Sequence, residues 1–483
     1  MKVSSNWDER ALCALCSSLC SQPSRPHPSN PMSTTIHQHT GTLRPLLRLV
    51  WPVLIEQLLV MLVGFADTLL AGHYLTPPDL AAMTVIAYAM WGLTNLFSFV
   101  SIGALAMTAR FVGAGDSEAA NRVANQSFLL GAILALTFSI VGWLGVEQFA
   151  ALLQLEGEPA ALATRYLRIL LPVLPLMMLE QVGIGCLRGA GDMVTGLVSM
   201  IVVNVVNVGV SWTLISGAGP FPALGWDALA IGTTCGHAVG GLIPFALLLA
   251  GRAGLRVHWR YFWPADGALM TRILRIGVPG GVDVLSLIGL QLAYLSIVNR
   301  LSTDEIAAHG VAIRIESIAY LPGYAFEVAA ATLVGQYLGA RDYRRASRSV
   351  LVACAVSMTL LTGSGLLMYF GAGPLVGLFL GPGQSGVEQI APVLLRIVAF
   401  GMPFLALMQV LTGALRGAGD TAWPLVFTFF GFVAVRLPLA WLLVIAWHWG
   451  INGAWYAMIV DLLLRTALVT GRFLTGGWKR VQV

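Results

Sequence analysis

The chain has 483 residues, of which 57% are hydrophobic and 11% charged, with a mean hydropathy of +0.78. No soluble core could hide that much apolar surface, so the solvent is lipid. Lys and Arg number 28 against 23 Asp and Glu, a formal +5, which in a membrane protein reports loop bias and predicts no nucleic-acid partner. Neither lysine, Lys2 or Lys479, lies in a GxxxxGK[ST] loop, so that route to ATP is excluded. HExxH and GxSxG motifs are lacking and the eight histidines never fall at zinc spacing, which argues against an enzyme and against a metal or other cofactor.

Residues 1–44 read as a disordered cytoplasmic tail, rich in Ser and Pro up to about Thr42. Cys13, Cys16 and Cys20 lie there, with metal binding as a weak alternative, and Met32 is a second candidate start. Beyond it, apolar runs of about 20 residues recur, the length a helix needs to cross a ~30 Å hydrocarbon core. Stretches such as LVSMIVVNVVNVGVSWTLI do not alternate in polarity, which excludes a β-barrel. The fold class predicted is an all-α polytopic membrane protein of twelve spans. They fall near 46–71, 80–107, 124–146, 166–186, 194–216 and 228–250, then 273–298, 307–335, 348–370, 391–412, 423–446 and 450–472. Basic residues collect in the even-numbered loops, among them Arg110, Arg122, Arg188, Arg252, Arg256, Arg341, Arg344 and Arg416. Those loops and both termini are therefore expected on the cytoplasmic side of the cell inner membrane. Arg165, Arg168 and Arg300 break the pattern beside nearby acids.

The two sets of six spans are copies. Pro52 pairs with Pro279 (279 − 52 = 227), Ala81 with Ala307 (307 − 81 = 226), Asp116 with Asp342 (342 − 116 = 226), and the two LRGAGD segments end at Asp192 and Asp420 (420 − 192 = 228). Six is even, so the halves enter from one side and are related by a pseudo-two-fold along the membrane normal. This divides the chain into an N-lobe over 45–255, a C-lobe over 256–475 and a cytoplasmic tail over 476–483.

The landmarks PVLIEQLLVMLVGFADTLLAG, the two LRGAGD segments, NVVNVGVSWTLISG and LVGQYLGA, in that order, resemble the multidrug and toxic compound extrusion (MATE) family over about residues 45–475. The resemblance implies two six-helix lobes and export of cationic or amphiphilic small molecules in exchange for H⁺ or Na⁺, by a chain expected to act as a monomer. The family's span-1 Asp matches Asp67, its span-5 asparagines match Asn204 and Asn207, and a span-6 threonine matches Thr233. Leu287 stands where relatives of the Na⁺-coupled branch resemble one another in carrying Glu, which leans toward the DNA-damage-inducible F-like group. Ser211 stands where many prokaryotic members carry Asp, leaving the N-lobe ion site one carboxylate short. A lipid or oligosaccharide flippase of the same superfamily is the alternative.

Physical chemistry weighs the same residues. Asp67 lies 15 to 20 residues into span 1, where a lipid-facing carboxylate would cost ~2.5 kcal/mol or more, which favours a position facing a watery cavity; the alternative is that span 1 ends earlier and Asp67 is interfacial. Asn204, Asn207 and Ser211 at i, i+3 and i+7 share one helical face, as an ion site or as interhelical glue. Glu56 and Asp283 occupy one repeat position (283 − 56 = 227) and are candidates to attract cationic substrate from the cytoplasm, or are neutralised locally. Met90, Trp91, Phe97, Tyr294 and Glu327 are further cavity candidates. Arg436 needs a partner, for which Asp283, Glu316 and Glu327 qualify. In LRGAGD, the glycine is expected to close one helix, Asp to cap the next, and Arg188 or Arg416 to anchor the inner leaflet.

Overall fold

A computed structural model describes residues 42–148, 157–218, 220, 222–380, 385–481 and 483. The N-terminal stretch with Cys13, Cys16 and Cys20 lies outside the described residues. Among the described residues there are twelve long helices. In the N-lobe they are α1 (Leu43–Tyr74), α2 (Pro77–Leu96, continued as Ser98–Gly113), α3 (Ser117–Leu144), α4 (Gly157–Leu170, continued as Leu174–Gly189), α5 (Val194–Ser216) and α6 (Trp226–Leu249). In the C-lobe they are α7 (Gly267–Val298), α8 (Thr303–Gly339), α9 (Tyr343–Phe370), α10 (Ser385–Gly417), α11 (Ala422–Phe429 through Leu442–Ala446) and α12 (Gly450–Leu474). Eleven are long and apolar enough to span a bilayer, and the twelfth, α12, carries Asp461, Arg465 and Arg472. The exterior is apolar: Leu144, Val205 and Leu367 are 69%, 68% and 63% exposed, as lipid contact requires.

The repeat is written into the helix ends. Asp116 caps α3 by accepting from the Ala119 N–H, and Asp342 caps α9 by accepting from the Arg345 N–H. Thr76 with Asp79 opens α2 as Ser302 with Glu305 opens α8, each a capping box. Gly191 and Gly419 follow α4 and α10 at φ +91° and +85°, a left-handed turn that a side chain would strain. Asp192 then accepts from the Val194 and Thr195 N–H groups, whereas Asp420 does not cap and instead binds Arg472 at 2.9 Å.

The ends carrying Arg110, Arg252 and Arg344 form one basic face. There the lobes meet along α2 with α7 and α8. The contact is isologous: Gly113 rests on the Gln336 carbonyl and Gly339 on the Arg110 carbonyl, residues related by the same offset of 226. Gln336 Nε2 donates to the Gly189 carbonyl at 2.8 Å and Thr332 Oγ1 to the Arg188 carbonyl at 3.0 Å. Beyond α12, Trp478 stacks on Phe473 and Arg110 donates to the Val481 carbonyl at 3.0 Å, so the tail also crosses this seam.

Candidate functional site

On α1, Asp67 lies eleven residues past Glu56, ~16 Å farther from the basic face. It is 4% exposed. Thr233 of α6 donates to its Oδ2 at 3.1 Å. The Thr233 hydroxyl in turn accepts from the Tyr166 hydroxyl of α4 at 3.0 Å and from Asn207 Nδ2 of α5 at 3.1 Å. A hydroxyl has one proton and two lone pairs, so this one is saturated, and its proton is committed to Asp67. Among the described residues, Asp67 Oδ1 is buried with no hydrogen-bond partner, as is Asn207 Oδ1. The carboxylate therefore has one oxygen anchored and one unpaired.

Of the N-lobe residues expected from sequence, Asp67, Asn207 and Thr233 come together. Asn204 grips backbone instead, donating to the Leu59 and Met200 carbonyls at 3.0 and 2.8 Å, and Ser211 reaches the Ala228 carbonyl at 3.4 Å. Tyr166 was not anticipated, because its helix position carries meaning only once α4 is packed beside α6. Two more polar residues were missed. Glu180 of α4 and His237 of α6 pair at 2.8 Å inside the lobe. The available signal was a Glu and a His in the middle of apolar runs, MLEQVGIG and TTCGHAVGG.

Nearer the basic face, the repeat-related acids are each held by an arginine. Glu56 Oε1 accepts from Arg188 at 2.7 Å. Asp283 and Glu327 both accept from Arg416 at 2.6 Å, one on each terminal nitrogen. Arg188 and Arg416 thus turn inward to buried carboxylates and do not serve as leaflet anchors. The reason is electrostatic: an unpaired buried acid costs more than an arginine drawn from the interface. The N-lobe cluster is neutral and the C-lobe cluster has one carboxylate in excess.

Arg436 of α11 makes no ion pair within 4.0 Å with Asp283, Glu316 or Glu327, although Glu316 lies close enough for the two charges to be felt by one another. It lies 4.0 Å from Asp461 of α12, over the rings of Tyr294 and Phe432 at 4.4 and 4.6 Å. Arg465 clamps the same Asp461 through two hydrogen bonds of 2.9 and 2.8 Å. Tyr294 is the repeat mate of Asp67 (294 − 67 = 227). Residues 430–436 of α11 are π-helical, and the one extra residue of such a turn brings Arg436 (436 − 229 = 207) into the register of Asn207. Among the cavity candidates of α2, Phe97 is 1% exposed at the helix break and belongs to the core, Met90 packs partly against that core, and Trp91 is exposed.

Twelve long helices in two repeated lobes, eleven of them long and apolar enough to cross a membrane, with charged pairs buried between them, define a polytopic membrane protein. The MatE family model matches residues 52–213 and 279–442, twice and at the repeat's own spacing (279 − 52 = 227), and the chain belongs to that family. A Thermotoga maritima protein described as a probable multidrug resistance protein NorM is 27% identical over 441 residues, covering 91% of this chain and 94% of that protein. The Bacillus subtilis probable multidrug resistance protein YoeA is 24% identical, covering 89% and 93%. A solved outward-facing multidrug resistance MATE family transporter of the MOP superfamily superposes with a TM-score of 0.83 at 22% identity, over 91% of this chain and 97% of that one.

Proposed function

We propose that the protein is a secondary active multidrug exporter that exchanges cationic or amphiphilic compounds for H⁺, or Na⁺, by alternating access. The observation that carries this reading is the half-anchored Asp67: Thr233 fixes one carboxylate oxygen while the other stays open to the coupling ion. The multidrug descriptions of its relatives agree with it. With the basic face cytoplasmic, as loop charge favours, the sealed α2, α7 and α8 seam corresponds to an outward-facing state, in which Asp67 exchanges with the outside. Loading Asp67 removes or neutralises a buried charge, and that difference in charge is what can bias one conformation over the other. The Glu327 carboxylate in excess gives a cationic substrate an attractive potential on the cytoplasmic side.

The decisive experiment is ethidium efflux from reconstituted vesicles under separate H⁺ and Na⁺ gradients. Acceleration by one of them identifies the ion, and no acceleration by either removes the antiport reading. Orientation is checked separately: a cysteine at Ala218 labels from outside and one at Ser347 does not.

A further inference from the structure

The Glu180–His237 pair has no part in the scheme above, although it is the most deeply buried titratable pair of the N-lobe. Glu180 is fully buried and His237 is 7% exposed. His237 Nδ1 lies 2.8 Å from Glu180 Oε2, while Glu180 Oε1 is buried without a hydrogen-bond partner. His237 stands four residues after Thr233 on the same face of α6, ~6 Å along the axis toward the basic face. It therefore follows directly on the hydroxyl that anchors Asp67.

The fold does not need this pair for packing. The repeat mate of Glu180 is Met408 (408 − 180 = 228). Gly225 and Gly450, both with positive φ, open α6 and α12, and their offset (450 − 225 = 225) makes Leu462 the mate of His237 (462 − 237 = 225). The C-lobe thus has apolar side chains at both positions, Leu462 in its hydrophobic core and Met408 partly buried against it. The charged groups around the pair are few: Asp67 and Glu56 from α1, and Arg188 two turns along α4 and already bound to Glu56. Tyr166 of α4 adds a titratable hydroxyl and Cys186 and Cys235 the thiols of α4 and α6; α5 has no titratable side chain over Val194–Ser216, α3 contributes only Glu118 and Arg122 and the part of α2 beside α4 only Arg110, all at the basic face.

We propose that Glu180 and His237 form a second proton-exchanging site of the N-lobe, inward of Asp67, so that a transport cycle moves two protons where Asp67 alone would move one. Together the two side chains hold one or two protons, on His237 and on Glu180 Oε1. In the doubly protonated state the pair is positively charged; with one proton it is neutral. The proton taken up when Asp67 is exposed to one side leaves to the other, and no other bond changes. This rests on the reading of Asp67 as a coupling residue.

The test counts protons exchanged per ethidium molecule in reconstituted vesicles, and protons released when ethidium binds the purified protein in detergent with a pH-indicator dye. Two protons are expected for the native chain and one for Glu180→Gln or His237→Gln, with ethidium affinity retained. The double variant Glu180→Met, His237→Leu copies the C-lobe packing and should fold and also move one. Unchanged proton counts in all three variants would make the pair purely structural, and so would a native count of one. The reading of Asp67 fails separately, if Asp67→Asn still exchanges protons for ethidium at the native count.

Discussion

The outer halves of the two lobes are built on one helical plan and filled with opposite charge. The N-lobe has Asp67 and Asn207, with Thr233 anchoring one carboxylate oxygen, and at the positions matching Asp67 and Asn207 the C-lobe has Tyr294 and Arg436, beside an Asp461 on which two arginines converge. An isolated carboxylate can change its charge by taking a proton or cation. An arginine clamped between aromatic rings and an Asp cannot, because guanidinium stays protonated throughout the accessible range. On the reading proposed above, duplication has left a switchable carboxylate at this position in the N-lobe and an arginine of fixed charge in the C-lobe.

That comparison is broken most completely at Asp67. Asp67→Asn is nearly isosteric but can neither gain nor lose a proton near neutral pH, so gradient-driven ethidium efflux should fall to background while ethidium binding persists. Glu56, ~16 Å away and bound to Arg188, should not substitute. Persistent efflux would move coupling to the C-lobe, with Asp283 and Glu327 as the next carboxylates to neutralise.

Next in size is the seam that both lobes share equally. A Cβ at Gly113 or Gly339 would land on a backbone carbonyl of the other lobe, which cannot retreat as a side chain tip can. Gly113→Ala and Gly339→Ala should each hold the basic face open and lower efflux more than tenfold. Cysteines placed along the seam should then label from the cytoplasmic side. Gly64→Ala on α1, where nothing lies within 4 Å, is the control that should leave efflux unchanged.

The inner clusters sharpen the asymmetry through stability. Arg416→Met strands two buried carboxylates and Arg188→Met strands one. Losing one partner of a buried pair costs ~3–5 kcal/mol, so both should lower the thermal unfolding midpoint, Arg416→Met further. Adding Asp283→Asn and Glu327→Gln to Arg416→Met should recover most of the loss, and failure to recover would mean that packing, not charge, sets the cost. The smallest effect belongs to Tyr166→Phe, which removes one of two donors to Thr233. At ~1 kcal/mol for a neutral hydrogen bond, the coupling-ion affinity should change about fivefold with efflux capacity retained.

Much of this was legible in the sequence because it is local or periodic. Apolar runs of spanning length, a duplication with offsets of 226 to 228, and an Asp too deep in span 1 to face lipid need only the chain's own order and the polarity of the bilayer. Hence the twelve helices, the two lobes and Asp67 could be named before any packing was known. Partner choice lies on another level. Arg188 finds Glu56 across 132 positions and Arg416 finds Asp283 across 133, while Arg436 passes over three plausible acids for Asp461. The rotation of each helix about its axis decides these pairings, and a π-turn in α11 that shifts register by one residue is invisible to hydropathy. Tyr166 entered the Asp67 network, and Glu180 found His237, for the same reason. A buried polar group takes whichever donor or acceptor the packed neighbours present, and only the tertiary structure selects those neighbours.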